Sequence, residues 1–373
     1  MQSAEAVVIG AGVMGSAAAR TLGERGVETI LLEQFDLGHA RGSSHGPTRI
    51  FRIAYPDPMY VRLAQRAQRA WRELEAAANE ELVVPTGGLD TGPMADVVGQ
   101  ALEACSVPHE RLSPAEASER FPQISFDGLD PIVYQPDAGV SRADRTVAAQ
   151  VRLAREAGVE VLHRTPVEAI VPGVDAVEVR TPDFSITARV AVATAGPWAG
   201  PLLERHGSAV PLQPILQTVS YFGPADPGGD VIPTFIEWGA PAPELVWYAL
   251  GPAGEAPGVK VGAHVGGLPV DPEDGPFEPD PELTRVQADY VRRRFPALQP
   301  EPVRSETCLY TMTADEDFVL DRVGSVVIGA GFSGHGFKFG PLIGEILANL
   351  ALGLDPGLDL DRFRAGRAAL QAS

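Results

Sequence analysis

The chain is 373 residues long, which suits roughly two to three folding units. Hydrophobic residues make up 45% and charged residues 21%, enough apolar material for a large core, which excludes global disorder. The 30 Lys+Arg against 49 Asp+Glu give a formal net charge of −19, a field that repels nucleic acid and anionic membrane and argues against either as a partner.

Two cysteines, Cys105 and Cys308, are too few for a disulfide framework or a cysteine-built zinc site. His39, His109, His163 and His206 have no metal-like spacing, so no metal is expected. The basic residues are unevenly chosen: only Lys260 and Lys338 are lysine, and all the others are arginine. A chain that uses Arg wherever a positive charge suffices points to its two lysines as places that need a compact ammonium. The start has no basic segment ahead of its first apolar run, and Leu342 to Leu354 is broken by Glu345 and Asn349 and is too short to span a bilayer. The chain reads as soluble and cytoplasmic.

Ala6-Val7-Val8-Ile9 is a short apolar run suited to a strand buried on both faces. Gly10-Ala11-Gly12-Val13-Met14-Gly15 follows, Ser16 to Arg25 continues as a helix, and Thr29 to Leu32 is a second strand ending at Glu33. This is G-x-G-x-x-G in its full strand–turn–helix setting, with an acidic residue where ribose hydroxyls would lie. Gly10, Gly12 and Gly15 supply the turn, the close approach of amides to a pyrophosphate, and tight helix–strand contact. Glu33 disfavours a 2′-phosphate and so argues against NADP.

A Gly/Ser/His-rich loop, Gly38 to Thr48, leads to Arg49-Ile50-Phe51-Arg52. Met59 to Ala78 has helical periodicity with a polar face of Arg62, Gln65, Arg66, Arg69 and Arg72. Leu82 to Gly88 reads as one strand, Asp96 to Cys105 as a helix with Cys105 in its apolar face, and Ser113 as a helix start. Val140 to Gly158 reads as a loop and long helix. Strands are expected at 160–163, 174–180, 184–187 and 189–196, then at 218–222, 245–250 and 259–264, with a helix from Pro281 to Phe295. Val326 to Gly331 is another buried strand, followed by a glycine-rich turn and a helix over Ile343–Ala351.

Four segments carry a resemblance: the N-terminal β-α-β; Gly42-Ser43-Ser44-His45-Gly46-Pro47-Thr48-Arg49-Ile50-Phe51-Arg52; Cys308-Leu309-Tyr310-Thr311 with Asp315-Glu316-Asp317-Phe318; and Gly329-Ala330-Gly331-Phe332-Ser333-Gly334-His335-Gly336-Phe337-Lys338-Phe339. In order along essentially the whole chain, they resemble the monomeric sarcosine oxidase and N-methyltryptophan oxidase family. The segments 96–120 and 223–258 diverge from it. The resemblance implies an α/β (α+β) fold: a discontinuous, Rossmann-like FAD-binding domain (1–88, 140–210 and 318–373) and an inserted, mainly antiparallel β substrate domain (89–139 and 211–317).

It further implies a monomer that oxidises a secondary amino acid with O2 as second acceptor, on FAD held covalently by Cys308. Lys338 and Arg52 correspond to the pair that holds the substrate carboxylate. Lys260 resembles the lysine that assists oxygen reduction, with Thr48 and Arg49 beside it. His264, Tyr310 and Tyr248 resemble pocket residues that orient the amine. His45, Gly331, Gly334 and Gly336 fall in segments that face the flavin.

Two alternatives stay open: the same chemistry on a bulkier or cyclic secondary amino acid (N-methyltryptophan, a pipecolate- or proline-like ring, a biosynthetic intermediate), and an NAD-dependent dehydrogenase.

Overall fold

Ala6, Val7, Val8 and Ile9 are all 5% exposed or less, as a run without alternation predicts for a central strand. In the computed structural model, which describes residues 2–173, 176–225, 232–239, 245–253, 255–264 and 267–371, this run ends strand Gln2–Ile9. Parallel strands Ser185–Ala193 and Thr29–Leu32 flank it, with Val326–Ala330 and Glu160–Leu162 beyond them. Antiparallel strands Ala169–Pro172, Val177–Arg180 and Val319–Val323 complete this sheet.

Alternate residues of the central strand enter different cores. Ala6 and Val8 join residues of helices Val13–Glu24, Pro58–Ala78 and Gly340–Leu352, whereas Val7 and Ile9 join Ile30, Leu32 and Val179 on the opposite face. The helices touch closely, because a Cβ on Gly344 would lie 2.3 Å from that of Ala17.

A second large sheet takes Gly88–Thr91, Glu110–Leu112, Ile132–Gln135 and the strands from Gln213–Pro224 through Leu298–Met312. Its pairings are antiparallel except where Gly88–Thr91 meets Thr234–Trp238. Helix Pro281–Arg294 covers one face, anchored by a buried bidentate pair from Arg294 to Glu237 with both contacts at 2.9 Å. A small antiparallel sheet of Thr48–Phe51, Val83–Pro85 and Gly139–Arg142 carries Thr48 and Arg49. The mixed α/β class is as expected, with a parallel nucleotide-type sheet interrupted in sequence by a β unit.

Several readings of the chain need correction, among them the loop read from Val140, which begins as strand Gly139–Arg142. Leu82 to Gly88 is two strands in two different sheets, Val83–Pro85 and Gly88–Thr91, because the chain turns at Gly87 (φ 70°). A side chain at Gly87 would collide with the Tyr134 hydroxyl at 2.5 Å. The segments 184–187 and 189–196 form one strand, Ser185–Ala193, whose first half alternates at the sheet margin and whose second half is buried on both faces. Leu298–Met312 is a strand that Pro300, Pro302 and its scattered charges concealed; its register shifts opposite Tyr221 and Phe222, where Pro302 pairs. Cys105 follows helix Ala95–Ala104 as a half-buried cap residue. Val174, and positions 226–231, 240–244 and 254 of the divergent loop, lie outside the described residues.

Candidate active site

Gly10 (φ 97°) turns the chain under Thr194, whose carbonyl would be 2.6 Å from an added Cβ. Gly15 does not line either cavity described below; its missing side chain lets the helix sit on Gly10 and Thr194. Gly12 is different: its nearest neighbour is Ser44 Oγ, at 3.1 Å from an added Cβ. The first helical amide, Val13 N, donates to that hydroxyl at 3.1 Å, and Gly12 supplies no side-chain cap. Gly12, Val13 and Met14 at this helix start all line the large cavity described below, so the positive end of the helix borders it, the arrangement that binds phosphate.

Glu33 ends the second strand and is 5% exposed. Its carboxylate accepts from Ala11 N at 2.9 Å and from Phe35 N at 3.0 Å, with His39 Nε2 3.4 Å away. Burial pushes its pKa up, but His39 and the two amides outweigh burial and hold it below the ordinary carboxylate value. A cavity of about 1040 Å³ runs over Gly10, Gly12, Glu33, His45, Gly331, Gly334 and Gly336. That size is at the upper end for small-molecule sites and suits a dinucleotide.

A second cavity, about 400 Å³, adjoins the first and shares Arg49, Tyr310, Gly334 and Phe337 with it. Thr48, Arg52, Tyr248, Lys260, His264, Cys308 and Lys338 also line it. Every residue that the sequence nominates for catalysis or substrate binding thus reaches one chamber, although they come from distant parts of the chain.

Arg52 and Lys338 define one end. Arg52 Nη1 donates to Asp90 Oδ1 at 2.9 Å, and its guanidinium lies 4.9 Å from the Tyr55 ring centroid and 5.5 Å from that of Trp238. Lys338, 6% exposed, donates to Tyr55 Oη at 2.9 Å and to the His335 carbonyl at 2.7 Å. Burial, then the nearby Arg52 charge, push the Lys338 ammonium well below the usual lysine range. The negative charge of an incoming carboxylate would oppose both effects and favour the charged lysine.

Lys260, Arg49 and Cys308 define the other end. Arg49 is held by the carbonyls of Thr48, Ser43 and His45 at 2.7–2.9 Å, and its Nη2 lies 3.7 Å from Cys308 Sγ. Lys260 is 4% exposed, and burial followed by the Arg49 charge lowers its pKa to about 7. Thr48 is fully buried, and its hydroxyl has no hydrogen-bond partner among the described residues. Burial and Arg49 bring His45 down to about 3, so it is neutral.

Between the two ends, Tyr248 and Tyr310 hydrogen-bond through their hydroxyls, and the Tyr310 ring lies 5.5 Å from that of His264. Burial, then Lys338 and Arg52, lower His264 to about 4, leaving a neutral ring. Gly334 (φ 75°) is required here, because a Cβ would meet the Tyr310 ring at 2.4 Å. Trp247 turns the other way and stacks on Tyr290 at 4.1 Å, so strand alternation sends Tyr248 into the chamber.

Sequence reasoning missed Asp90, Trp238, Tyr55 and His335. His335 stands inside the quoted glycine-rich motif three residues before Lys338, and Tyr55 lies three residues past the end of the one that closes on Arg52. Asp90 and Trp238 gave no signal.

The family profile described as FAD dependent oxidoreductase matches residues 5–350. The chain is 37% identical to the peroxisomal sarcosine oxidase of Homo sapiens, over 97% of this chain and 96% of that one. It is 34% identical to the monomeric sarcosine oxidase of Bacillus sp. (strain B-0618), over 99% and 97%. Among solved structures, NikD, described as an unusual amino acid oxidase essential for nikkomycin biosynthesis, superposes with a TM-score of 0.88 at 27% identity over 98% of each chain. Matched over nearly its whole length, the chain belongs to the family of FAD-dependent oxidoreductases that includes the sarcosine oxidases.

Proposed function

We propose that this chain oxidises the C–N bond of a small secondary amino acid of the sarcosine type, with FAD as cofactor and O2 as second substrate. The products would be an imine, which hydrolyses, and H2O2. The larger cavity fits FAD on three observations. The helix start at Gly12 and Val13 lines it, Glu33 lies in its wall where ribose hydroxyls would reach, and the buried Thr311 hydroxyl in its wall lacks a partner among the described residues. Gly10, Gly12, Glu33, His45, Gly331, Gly334 and Gly336 would hold the cofactor, with Cys308 forming a covalent thioether. Bound there, FAD would supply the two-electron acceptor for the amine and the reductant for oxygen.

The chain's own residues do the rest. Arg52 and Lys338 grip the carboxylate, which fixes the amine at the border between the two cavities. Neutral His264, with Tyr248 and Tyr310, offers hydrogen-bonding groups to the amine. Lys260, between Arg49 and Thr48, supplies positive charge where oxygen gains electrons. Ile50, Val246 and Leu250 keep water out of the chamber.

The observation that carries this reading is the Arg52–Lys338 clamp in a chamber sharing walls with the dinucleotide cavity. The same apolar wall, extended by Ile236, favours a second reading in which the substrate is bulkier or cyclic. The NAD-dependent alternative falls with the family match. We assign 1–88, 140–210 and 318–373 to the flavin and 89–139 and 211–317 to the substrate, a division supported by strand membership in the two large sheets. We also assign a cytoplasmic monomer; among the described residues no helix is long and apolar enough to cross a membrane.

The test is a panel of sarcosine, aromatic N-methyl and cyclic secondary amino acids, scored anaerobically by loss of flavin absorbance. Peroxide is then counted when oxygen is readmitted. Bleaching by secondary amino acids is expected; bleaching by primary amino acids alone would overturn the reading.

A further inference from the structure

The cations of the smaller cavity differ in how far their charge is already answered. Arg52 touches Asp90 at 2.9 Å, and Asp90 is 3% exposed on strand Gly88–Thr91, behind the cavity wall. The same Asp90 oxygen accepts from Trp238 Nε1 at 2.9 Å, so the carboxylate is fixed from two sides. Arg49 and Lys260, at the far end, feel the charge of Asp144, while Glu306 near Lys260 is itself paired with Arg304. Lys338 is bonded to neutral groups, the Tyr55 hydroxyl and the His335 carbonyl. Asp57, Asp315, Glu316 and Asp317 line the remainder of the chamber, with Arg362 tied to Asp57 and Asp317.

We propose that Asp90 is a specificity-determining positioning residue: by neutralising Arg52 it leaves the clamp with one unanswered positive charge, at Lys338, so the site takes amino acids with a single carboxylate and rejects dicarboxylates. This rests on the clamp reading above and adds the class of substrate excluded. A substrate with one carboxylate balances Lys338 while Arg52 contributes oriented donors at no net charge. A second carboxylate at the clamp end finds Arg52 already matched by Asp90 and Arg362 tied to Asp57 and Asp317, and Asp90 and Glu316 repel it. Selectivity of this kind comes from a built-in repulsive element as much as from the attractive one. Asp90 also holds the guanidinium plane between Tyr55 and Trp238, so the donors face the ligand in one orientation.

The experiment compares sarcosine with iminodiacetate, a secondary amine bearing a second carboxylate, on the flavin-loaded enzyme. Dissociation constants are read anaerobically from flavin absorbance, and kcat and KM from peroxide release. The wild type should favour sarcosine by at least tenfold. Asp90→Asn, which keeps shape and removes charge, should shift that preference toward iminodiacetate by about ten- to hundredfold, mainly through KM and dissociation constant. Asp90→Glu should keep the wild-type preference. A wild type that binds iminodiacetate as tightly as sarcosine overturns the proposal whether or not any variant folds, and leaves the clamp standing. A folded Asp90→Asn enzyme with an unchanged preference overturns it too. Binding of neither ligand removes the clamp itself, and this proposal with it.

Discussion

Arg49 Nη2 lies 3.7 Å from Cys308 Sγ although 259 positions separate the two residues. A fixed cation beside a sulfur steadies the negative charge that develops when that sulfur acts as a nucleophile. Cys308 also lines the smaller cavity beside Arg49 and Tyr310, which line both, and the proposed covalent tether rests on that placement.

Cys308→Ser should therefore give a folded protein whose flavin leaves on acid precipitation. Gly10, Gly12 and Glu33 are untouched, so the cofactor should still bind before denaturation. Yellow colour in the pellet of this variant would defeat the assignment of Cys308.

Arg52→Ala and Lys338→Met should each weaken substrate binding. Removing one partner of a charge-assisted pair costs about 2–3 kcal/mol, roughly a hundredfold in dissociation constant. Simple secondary amines without a carboxylate should lose far less. Titration of both ligand types by flavin absorbance separates the cases, and equal losses would exclude carboxylate binding by these residues.

Lys260→Met should leave anaerobic flavin reduction nearly intact and slow reoxidation by about a hundred- to thousandfold, the usual range for losing one preorganised charge of about 3–4 kcal/mol. The pH dependence has a definite sign. Lys260 titrates at about 7, so its charge is present below that pH and lost above it. The reoxidation rate should fall as pH rises through 7 in the wild type and be flat across that range in Lys260→Met. Stopped-flow measurement of the two half-reactions checks both statements.

Gly334→Ala places a methyl 2.4 Å from the Tyr310 ring and 2.9 Å from His264, at a φ of 75°. The left-handed backbone alone costs about 1–2 kcal/mol for a residue with a side chain. Tyr310 must also move. A lowered thermal midpoint together with a drop in kcat/KM of more than tenfold is expected; a normal kcat/KM would show that the Tyr310 position is unimportant.

The nucleotide sheet was legible because each step has a local cause. A strand buried on both faces needs an unbroken apolar run, and Gly10 and Gly15 must be glycine for the chain to turn and for the helix to sit against that turn. The proposed clamp drew attention through its residue types, since Lys338 is one of two lysines in a chain that otherwise uses arginine. Asp90 was not. An acid between Leu89 and Thr91 looks like the solvent side of an ordinary alternating strand, and its burial comes from Arg52 and Trp238, which are remote in sequence. The turn at Gly87 hid it further, because its cause is the Tyr134 ring against the glycine rather than any local pattern. Leu298–Met312 escaped for a related reason: its long pairing partner, Gln213–Pro224, decides its conformation despite its prolines.

Both lysines are buried, at 4% and 6% exposure, so the folded protein keeps its only side-chain amines inside the catalytic chamber. An amine-reactive acyl label therefore finds no lysine on the outer surface. Acylation of Lys260 or Lys338 measures how often the chamber opens, and a ligand seated between Arg52 and Lys338 should shield Lys338 selectively. The scarcity of lysine turns an ordinary labelling reagent into a site-resolved clock for access to the active site.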